Sequence, residues 1–379
     1  MKIGIDCRLL STKVTGIGFY TLNLLNSLAK VDAVNEYKLV YQHKRSVFDQ
    51  IGNPDTHLYT PDAENFNLAK LYLDVRILDR LIFKLNIPKI NWLIGKVDVF
   101  HGPYFFPWPV SKGTFIVTVH DLTSFKVPET VRAGLCAYYQ RCHNRSIKLA
   151  DFLIADSIAT KHDICEIFDV PEDRIEVVYL GTDLNRDTVA DRIDNEPIVK
   201  QPYILCVGTL EPRKNQKGLI KAFSILKDMY SIPHKLVLAG DKGWKHEGII
   251  EEAEKSKHKD DIVITGYISP EEVLNLYYYA DLFTYVSIYE GFGLPILEAM
   301  AMGVPVVYAS NTSMIEVAGD AAVGVDTFDL ESIVDGMYRV LSDSELADSL
   351  TRKGLDRAAQ FTWDRTAEET LEVYRKFGN

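Results

Sequence analysis

Two glutamates lie eight residues apart in the stretch YEGFGLPILEAMAMGVPVV, which runs from Tyr289 to Val307. Glu290 precedes a glycine-containing turn, and Glu298 lies about one turn into the helix that Pro295 predicts, because proline suits the first turn of a helix. A helix start offers N–H groups and partial positive charge to phosphate, and carboxylates accept hydrogen bonds from neighbouring hydroxyls. The spacing therefore favours a sugar-bearing nucleotide as ligand. The alternative is that Glu298 complements the helix dipole and Glu290 is an ordinary loop acid.

A histidine ends a very apolar stretch, TFIVTVHD, in which His120 closes the predicted strand. This position favours a function, because open parallel sheets bind ligands at the carboxyl ends of their strands. Asp121 cannot easily orient His120, since adjacent residues of an extended chain point to opposite faces. We therefore expect a hydrogen-bonding role for His120 rather than base catalysis, with a structural histidine as the alternative. His101, in the aromatic loop FHGPYFFPWP, leaves two interpretations open: the loop shapes an acceptor site, or it packs.

Short apolar strands alternate with longer helices along the chain, which is typical of mainly parallel sheets with helices on both faces. The predicted strands are KIGIDC, YKLVYQ, VDVFHG, TFIVTVHD, FLIADS and RIEVVYLG, followed by YILCVGTL, KLVLAGD, DIVITGYI, DLFTYVS and VPVVYAS. The predicted helices are GFYTLNLLNSLAK, 68–85, 129–149, 158–168, GLIKAFSILKDMY, EEVLNLYYYA, PILEAMAMG and TWDRTAEETLEVYRKF.

A polar segment with weak periodicity, 183–201, separates two such series and is interpreted as a linker. The predicted fold class is therefore α/β, with two doubly wound Rossmann-like domains, 1–182 and 202–361. We expect the ligand in the cleft between them.

Composition narrows the class of protein. The 379 residues are too many for one compact core, and 47% hydrophobic with 25% charged residues is an ordinary globular balance. The formal net charge of -11 argues against sequence-independent nucleic-acid binding. Five cysteines without a C-x-x-C pair fit free thiols in a reducing compartment. Neither a signal peptide nor a transmembrane run is predicted, so we expect a cytoplasmic protein.

Several segments resemble the retaining glycosyltransferases of family 4, which have the GT-B fold. The E-x7-E stretch carries the resemblance first, through its glycine turn, its proline and EAMAMGVPVV. VGTLEPRKNQKGLIKAF is similar to the opening of the family's second domain, VTVHDLTSF and TGIGFYTLNLL to first-domain loops, and SNTSMIEVAGDAA to the segment after the E-x7-E helix. The resemblance covers essentially the whole chain. It implies a GT-B fold in which the last helix, 362–379, crosses back to the first domain.

The resemblance also implies roles for individual residues. Glu290 would contact hydroxyls of the transferred sugar, and Glu298 would hold the ribose of the nucleotide. His120 would lie near the donor sugar and the reacting carbon. The backbone of Gly291, Phe292, Gly293 and Leu294 would contact the diphosphate and the sugar. Gly18, in the first-domain loop, would approach the same phosphates from the other side.

The resemblance also implies that a basic pair, Arg213 and Lys214, would neutralise the leaving diphosphate. Preorganised cations stabilise the negative charge that builds on such a leaving group. One position departs from the family pattern: Thr209 follows Gly208 where many members carry arginine, so the arginine role would fall to Arg213. A solvated basic pair is the alternative, since lysine and arginine are common on surfaces.

The sequence contains no Asp-x-Asp pair, no H-E-x-x-H motif and no cysteine cluster. We therefore expect transfer without a metal ion or other cofactor, the nucleotide sugar being a substrate. A retaining outcome is implied by the family alone. The usual proposal there is front-face attack with the donor phosphate oxygen taking the acceptor proton, and no enzymatic nucleophile for a double displacement can be assigned.

A basic amphipathic stretch, 68–96, reverses the charge of this acidic chain locally. Its cations are Lys70, Arg76, Arg80, Lys84, Lys89 and Lys96, and its apolar stripe is Leu71, Val75, Leu78, Ile82 and Leu85. Such a helix can lie on an anionic membrane surface, which would suit an acceptor on a lipid carrier. The alternative is a helix packed on its own sheet with a solvated basic face. Peripheral contact with the inner face of a membrane therefore stays open.

The leading interpretation is transfer of a hexose from a nucleotide sugar to a saccharide or lipid-linked acceptor. MKIGIDCRLL and HDLTSFKVPE are similar to enzymes that build bacterial surface polysaccharides, often mannosyltransferases. GDP-mannose is therefore the first donor expected, and a UDP-sugar the second. A GT-B nucleotide-sugar epimerase and a non-enzymatic nucleotide-sugar-binding module are alternatives. A dinucleotide-dependent dehydrogenase is disfavoured, because Gly16 and Gly18 do not complete the G-x-G-x-x-G fingerprint.

Overall fold

The structure, a computed structural model, describes residues 1–11, 16–42, 58–72, 75–193 and 196–378. Its strands are β1 (Lys2–Asp6), β2 (Glu36–Gln42), β3 (Phe66–Leu71), β4 (Val99–Gly102), β5 (Thr114–Val119), β6 (Phe152–Ala155), β7 (Ile175–Val177), β8 (Tyr203–Val207), β9 (Lys235–Ala239), β10 (Ile262–Gly266), β11 (Leu282–Tyr285), β12 (Val306–Ala309) and β13 (Val323–Val325). Its helices are α1 (Gly16–Val31), α2 (Val75–Leu85), α3 (Ile90–Ile94), α4 (Thr123–Lys126), α5 (Ala133–Leu149), α6 (Ile158–Phe168), α7 (Arg186–Ala190), α8 (Gln216–Tyr230), α9 (Glu247–Lys255), α10 (Pro270–Tyr278), α11 (Leu294–Ala301), α12 (Met314–Ala318), α13 (Leu330–Ser342), α14 (Ser344–Ala358) and α15 (Trp363–Phe377).

The chain divides into two compact units. Unit 1 consists of Met1–Leu122, Ala137–Gly181 and Trp363–Asn379, and unit 2 consists of Thr123–Cys136 and Thr182–Thr362. The C-terminal helix α15 therefore belongs to unit 1, where it packs against α1. The chain enters unit 2 twice, once for a short segment and once for the second sheet.

Unit 1 is built on a sheet with the strand order β3-β2-β1-β4-β5-β6-β7, in which every neighbouring pair is parallel. Its central strands are apolar on both faces, as expected where helices cover both sides of a sheet. Ile3 and Ile5 of β1, Phe100 of β4 and Ile116 of β5 are fully buried. The core of unit 1 therefore lies along β1, β4 and β5, whose carboxyl ends form one edge.

Unit 2 is built on a second parallel sheet with the order β10-β9-β8-β11-β12-β13. Its core includes Ile204 and Leu236 from the strands and Leu219 and Phe223 from α8, all fully buried. The two sheets confirm the predicted α/β fold class of two parallel, doubly wound units.

The short segment Thr123–Cys136 is held in unit 2 by side chains that follow β9. Trp244 Nε1 donates to the carbonyl of Thr130 at 2.9 Å. Lys245 Nζ donates to the carbonyls of Glu129 at 2.6 Å and Val131 at 3.2 Å. Three consecutive carbonyls of the segment are therefore satisfied by the second sheet's own loop.

Three predicted elements differ in the structure. The helix predicted over 68–85 is divided: Phe66–Leu71 is the strand β3, paired in register with β2, and α2 begins only at Val75. The helix predicted from Glu129 begins at Ala133, after a short 3-10 turn. The predicted linker contains α7, whose cap Asn185 accepts hydrogen bonds from two backbone N–H groups. Asp74 and residues 194–195 lie outside the described residues.

The sequence prediction also omitted β13, α3, α4, α9 and the helices α12 to α14. None of the helices in the described ranges is both long and apolar enough to cross a lipid bilayer.

Candidate active site

The strand order of unit 2 reverses between β8 and β11. β8 and β11 are neighbours, but the chain continues from β8 to one side of the sheet and from β11 to the other. Open α/β sheets bind ligands in the crevice that such a reversal leaves at the carboxyl ends of the strands. Arg213 and Lys214 follow β8, and Glu290 follows β11. Three predicted site residues therefore lie in the loops that border this crevice.

A short 3-10 turn, Pro212–Lys214, presents the two cations. Asn215 follows in the left-handed region with φ 51°, which asparagine tolerates better than most residues, and its side chain accepts from the N–H of Gly218 at 3.3 Å. The carbonyl of Arg213 accepts a hydrogen bond from the N–H of Ile288 at 2.8 Å. The turn is therefore fixed both to α8 and to the loop after β11.

The loop after β11 holds Glu290 through its backbone. Ser313 Oγ lies 2.9 Å from the carbonyl oxygens of both Glu290 and Phe292. Gly293 follows with φ 104° as the N-cap of α11, and a Cβ there would come within 3.2 Å of Met314 Cγ. Glycine is therefore required twice at this position, by its backbone conformation and by the close approach of a neighbour.

The charged side chains of the two loops form one buried cluster. Lys214 Nζ lies 2.6 Å from Oε1 of Glu290, and Arg213 Nη1 lies 2.7 Å from Oε2. The Tyr285 hydroxyl donates to Oε1 of Glu290 at 2.9 Å and accepts from Lys214. Arg213 Nη2 is bound by Glu211 at 2.8 Å. The Glu290 side chain is 9% exposed, so this cluster is largely withdrawn from water.

Electrostatics keeps Glu290 charged in spite of its burial. Burial favours the protonated acid, but the positive charges of Arg213 and Lys214 outweigh it and lower the pKa of Glu290 to about 2. Tyr285, the last residue of β11, stays neutral because burial raises its pKa well above the ordinary value. The cluster therefore contains two cations and the carboxylates of Glu290 and Glu211, and is balanced in charge.

Glu298 has a different environment from Glu290. It lies on α11 and accepts a hydrogen bond from the Tyr277 hydroxyl, Oε2 to Oη 3.0 Å. Burial raises the pKa of Glu298 to about 7, and the hydrogen bond from Tyr277 opposes the shift only in part. The two glutamates of the E-x7-E stretch thus differ in charge state near neutral pH, which their spacing does not reveal.

The segment Gly291–Leu294 connects the two glutamates. Gly291, Phe292 and Gly293 are buried, and the ring of Phe292 packs edge-on against Phe361 at 6.1 Å. Leu294 is the first residue of α11, and the first N–H groups of a helix have no partner within it. Pro295 has no N–H, and the N–H of Ile296 donates to the carbonyl of Gly293 at 2.9 Å, so a diphosphate contact at the start of α11 stays a prediction.

His120 lies at the carboxyl-end edge of the sheet of unit 1, directly after β5. His120 Nδ1 lies 2.6 Å from Oδ2 of Asp156, and Nε2 lies 2.9 Å from the carbonyl oxygen of Pro103. The ring of Tyr20 stands edge-on to the imidazole at 4.6 Å. Gly18, two residues before Tyr20, lies in the first turn of α1 and is buried. It was predicted in a loop, and the structure corrects this, because α1 already begins at Gly16.

Asp156 is a neighbour of His120 that the sequence reasoning missed. β5 and β6 pair in parallel with Val119 opposite Ala155, so the next residue of each strand reaches the same edge. A histidine and an aspartate that each follow an apolar strand were the available signal. Glu211, Tyr277 and Tyr285 were missed as well, although Glu211 lies two positions from Arg213 and Tyr285 five positions from Glu290.

His101 is a structural histidine. It is fully buried, with Nδ1 2.6 Å from the Tyr374 hydroxyl of α15 and Nε2 2.8 Å from Thr118 Oγ1. Burial lowers the pKa of His101 to about 3, so the ring is neutral. The aromatic loop after it packs inward, since Trp108 is fully buried and its indole donates to Asp6 at 2.6 Å.

A group of side chains that could hold a metal ion occurs on α6, away from these loops in the chain. In the described part of the chain, His162, Asp163 and Glu166 place their ligand atoms within 4.8 Å of one another. None of the three follows a strand at the edge that carries His120.

Solved structures define the class of fold. Sucrose-phosphate synthase from Thermosynechococcus elongatus superposes with a TM-score of 0.75 at 18% identity, over 99% of this chain and 98% of that one. HepE from Anabaena, in complex with UDP and glucose, gives a TM-score of 0.70 at 15% identity over 99% and 100% of the two chains. The fold is therefore that of the GT-B glycosyltransferases.

Sequence comparison identifies the family. Residues 14–186 match the model described as Glycosyltransferase Family 4, and residues 188–357 match Glycosyl transferases group 1. O-antigen chain mannosyltransferase B from Escherichia coli is 32% identical over 99% of this chain and 100% of its own length. The chain belongs to glycosyltransferase family 4, and it is a glycosyltransferase of the GT-B type.

Proposed function

We propose that the protein transfers mannose from GDP-mannose to a saccharide or lipid-linked saccharide acceptor, with retention of configuration and without a metal ion. The Arg213–Lys214–Glu290 cluster is the observation that carries the transferase proposal. Mannose is supported by the similarity to the E. coli O-antigen chain mannosyltransferase B along the full chain. Transfer from a UDP-sugar is the second candidate.

The cluster suggests how a donor would bind. A diphosphate that reaches Lys214 and Arg213 competes with Glu290 for two cations that are 11% and 13% exposed. Glu290, once released from them, is a charged acceptor for the hydroxyls of the sugar. Donor binding would then replace the two ion pairs of Glu290 with two ion pairs to the diphosphate. Before the donor arrives, Glu290 would keep Arg213 and Lys214 in position.

The other predicted residues complete this proposal. Glu298 would hold the ribose hydroxyls, and the start of α11 together with Gly291–Leu294 would meet the diphosphate through backbone N–H groups. In the same proposal, His120 would lie near the donor sugar and Gly18 would approach the phosphates. Because the protein mainly positions the donor and stabilises the leaving diphosphate, front-face attack by the acceptor is the expected route.

The two cations would supply the positive charge that a divalent ion supplies in metal-dependent transferases. Activity should therefore persist in EDTA and change little on adding Mg²⁺ or Mn²⁺. Loss of activity in EDTA, restored by either ion, would overturn this part of the proposal.

A membrane-bound acceptor is supported by the surface of α2 and α5. A groove of about 860 Å³ between these helices is lined by five cations, Arg80, Lys84, Arg141, Arg145 and Lys148. Arg145 is engaged with the end of α2, at 2.7 Å from the carbonyl of Ile82. Arg80, Lys84 and Lys148 form no ion pair with any residue that the structure describes.

The helices α2 and α3 also carry exposed apolar side chains. Leu78 and Ile82 of α2 are fully buried, as the packed-helix interpretation requires. Ile77, Leu85 and Trp92 are nevertheless 53%, 62% and 65% exposed. Exposed apolar residues beside cations are typical of peripheral contact with an anionic bilayer, so α2 combines both roles in the proposal.

Sedimentation with vesicles tests the membrane contact. We expect binding to phosphatidylglycerol vesicles at low salt and little binding to phosphatidylcholine. The double variant Arg80→Glu, Lys84→Glu should lose it, while Lys255→Glu, an exposed lysine on α9, should retain it. Equal binding by all three proteins, or none by the native chain, would remove the membrane from the proposal.

A donor panel tests the transferase proposal. The protein is mixed with GDP-mannose, UDP-glucose and ADP-glucose, and slow release of nucleoside diphosphate is measured, then accelerated with candidate acceptors. We expect the fastest release from GDP-mannose and an α-linked product by NMR. Release from UDP-glucose but not from GDP-mannose would make a UDP-sugar the proposed donor. Binding without turnover would indicate a binding module, and interconversion of nucleotide sugars without acceptor would indicate an epimerase.

A further inference from the structure

Both ring nitrogens of His120 face oxygen atoms that accept hydrogen bonds. One is the carboxylate of Asp156, at 2.6 Å from Nδ1, and the other is the backbone carbonyl of Pro103, at 2.9 Å from Nε2. A carbonyl oxygen never donates. A neutral imidazole has a single N–H, so beside an ionised Asp156 it would leave one nitrogen lone pair directed at an oxygen lone pair.

We propose that His120 is an imidazolium ion, doubly protonated and fixed by Asp156 and the Pro103 carbonyl, and that Asp156 is a positioning residue of the transfer reaction. The second half rests on the proposed function. In this state Nδ1–H donates to Asp156 and Nε2–H donates to Pro103. The ring then has no free lone pair, so His120 cannot serve as a general base.

The surroundings of the ring support the positive charge. The groups that face it come from α1, β4, α5, the segment after β6 and its own chain, and they are Tyr20, His101, His143, Asp156 and Asp121. The two aspartates are the acids of this set; burial raises the pKa of Asp156, and the charge of His120 beside it opposes that shift. The two histidines are neutral, because burial lowers the pKa of His101 to about 3 and of His143 to about 4. Burial opposes the charge on His120 itself, but Asp156 outweighs it and raises the pKa of His120.

Asp156 is suited to holding the ring in one orientation. It is 1% exposed and follows β6 directly, and β6 pairs with β5 next to His120. Among the described residues, Oδ1 of Asp156 has no hydrogen-bond partner, so the imidazole is its one bonded neighbour in this set. The carboxylate is therefore committed to a single histidine, and its loss would free the ring both to rotate and to lose its proton.

The consequence for transfer is electrostatic. A fixed imidazolium at the carboxyl end of β5 would act on an anionic oxygen of the donor through its charge, while both N–H groups stay on Asp156 and the Pro103 carbonyl. No proton is transferred at the ring, and no bond to it is made or broken. The positive charge stabilises the departing diphosphate only while the ring stays protonated, so turnover should fall as the pH rises through the pKa of His120.

Nitrogen NMR of the unliganded protein tests the charge independently of any activity. The full chain is labelled with ¹⁵N-histidine, and His120 is assigned among the nine histidines by comparison with His120→Gln. At pH 7 we expect both nitrogens of His120 at protonated shifts. Asp156→Asn should lower the pKa of His120 by at least about one unit. Asp121→Asn changes a neighbouring acid to which the imidazole forms no hydrogen bond, and should lower the pKa of His120 by less. An unprotonated Nδ1 or Nε2 at pH 7 would overturn the proposal.

Kinetics tests the positioning role. In kcat against pH, the alkaline limb of the native protein should move to lower pH in Asp156→Asn by the same shift that NMR records, and Asp156→Glu should restore most of it. Thermal unfolding shows which variants remain folded. If Asp156→Asn is folded and its kcat falls at the same alkaline pH as that of the native protein, Asp156 has no positioning role. If the donor panel finds no transfer at all, the proposed function fails while the NMR result still decides the charge of His120.

Discussion

Lys214 and Glu290 meet at 2.6 Å although 76 residues separate them in the chain. They follow β8 and β11, the two neighbouring strands at which the order of the second sheet reverses. The contact is therefore a consequence of topology: the reversal opens a crevice, and the two loops that border it contribute opposite charges. The same contact decides how the site behaves when either partner is changed.

Replacing Glu290 by glutamine should destabilise the protein. Arg213 and Lys214 would keep their positive charges without the carboxylate that both contact, and breaking a buried ion pair costs about 3 kcal/mol. The free energy of unfolding by urea measures the effect. Glu251→Gln, which breaks an exposed pair with Lys255 on α9, is the control and should change stability by less than about 0.5 kcal/mol. Equal effects of the two changes would contradict a role for Glu290 in holding the cluster together.

Replacing Lys214 by alanine should lower turnover. Losing one preorganised group that stabilises a leaving diphosphate reduces kcat by about 10²-fold to 10³-fold. Steady-state release of nucleoside diphosphate from GDP-mannose measures it. Lys217→Ala, at an exposed position in the first turn of α8, three residues after Lys214, should stay within about twofold of the native rate, because exposed charges contribute little. A native rate for Lys214→Ala would remove the lysine from the site.

The raised pKa of Glu298 predicts a pH-dependent stability. Folding raises this pKa from 4.5 to about 7, so the folded state binds the proton more tightly than the unfolded state. The stabilisation is therefore full below pH 4.5 and is lost as the pH rises through 7. Glu298→Gln lacks this titration, so the native chain should lose about 2 kcal/mol relative to the variant between pH 5 and pH 8. Parallel unfolding curves across that range would show that Glu298 is ionised throughout.

Gly293→Ala should disturb the start of α11. The residue has φ 104°, which costs a side chain about 2 kcal/mol, and the added Cβ would press on Met314. We expect lower thermal stability and a raised KM for the donor. Gly248→Ala on α9, where a Cβ would meet nothing within 4 Å, should be neutral or slightly stabilising. A Gly293→Ala protein as stable as Gly248→Ala would contradict this account.

The alternation of apolar strands and amphipathic helices was sufficient to predict the fold class, because parallel sheets bury both faces of their strands. The prediction was wrong for Phe66–Leu71. The apolar residues of this segment fit a helix equally well, and only its pairing with β2 makes it a strand. The E-x7-E spacing located Glu290, whose loop is local in sequence. Asp156 could not be found in the same way, since strand register brings it to His120. Tyr285 was missed although it lies only five positions before Glu290, because the spacing alone does not show that the loop folds back onto the end of β11.

The discontinuity of unit 2 affects how the polypeptide can be cut. A recombinant fragment that starts at Thr182 would contain the whole second sheet but would leave behind Glu129, Thr130 and Val131. The indole of Trp244 and the ammonium of Lys245 would then lose the carbonyls they now bind. Such a fragment should be prone to aggregation, and adding residues 123–136 through a designed tether should rescue its solubility. During synthesis the ribosome releases that short segment first, so it must wait for its partners until residue 245 has emerged.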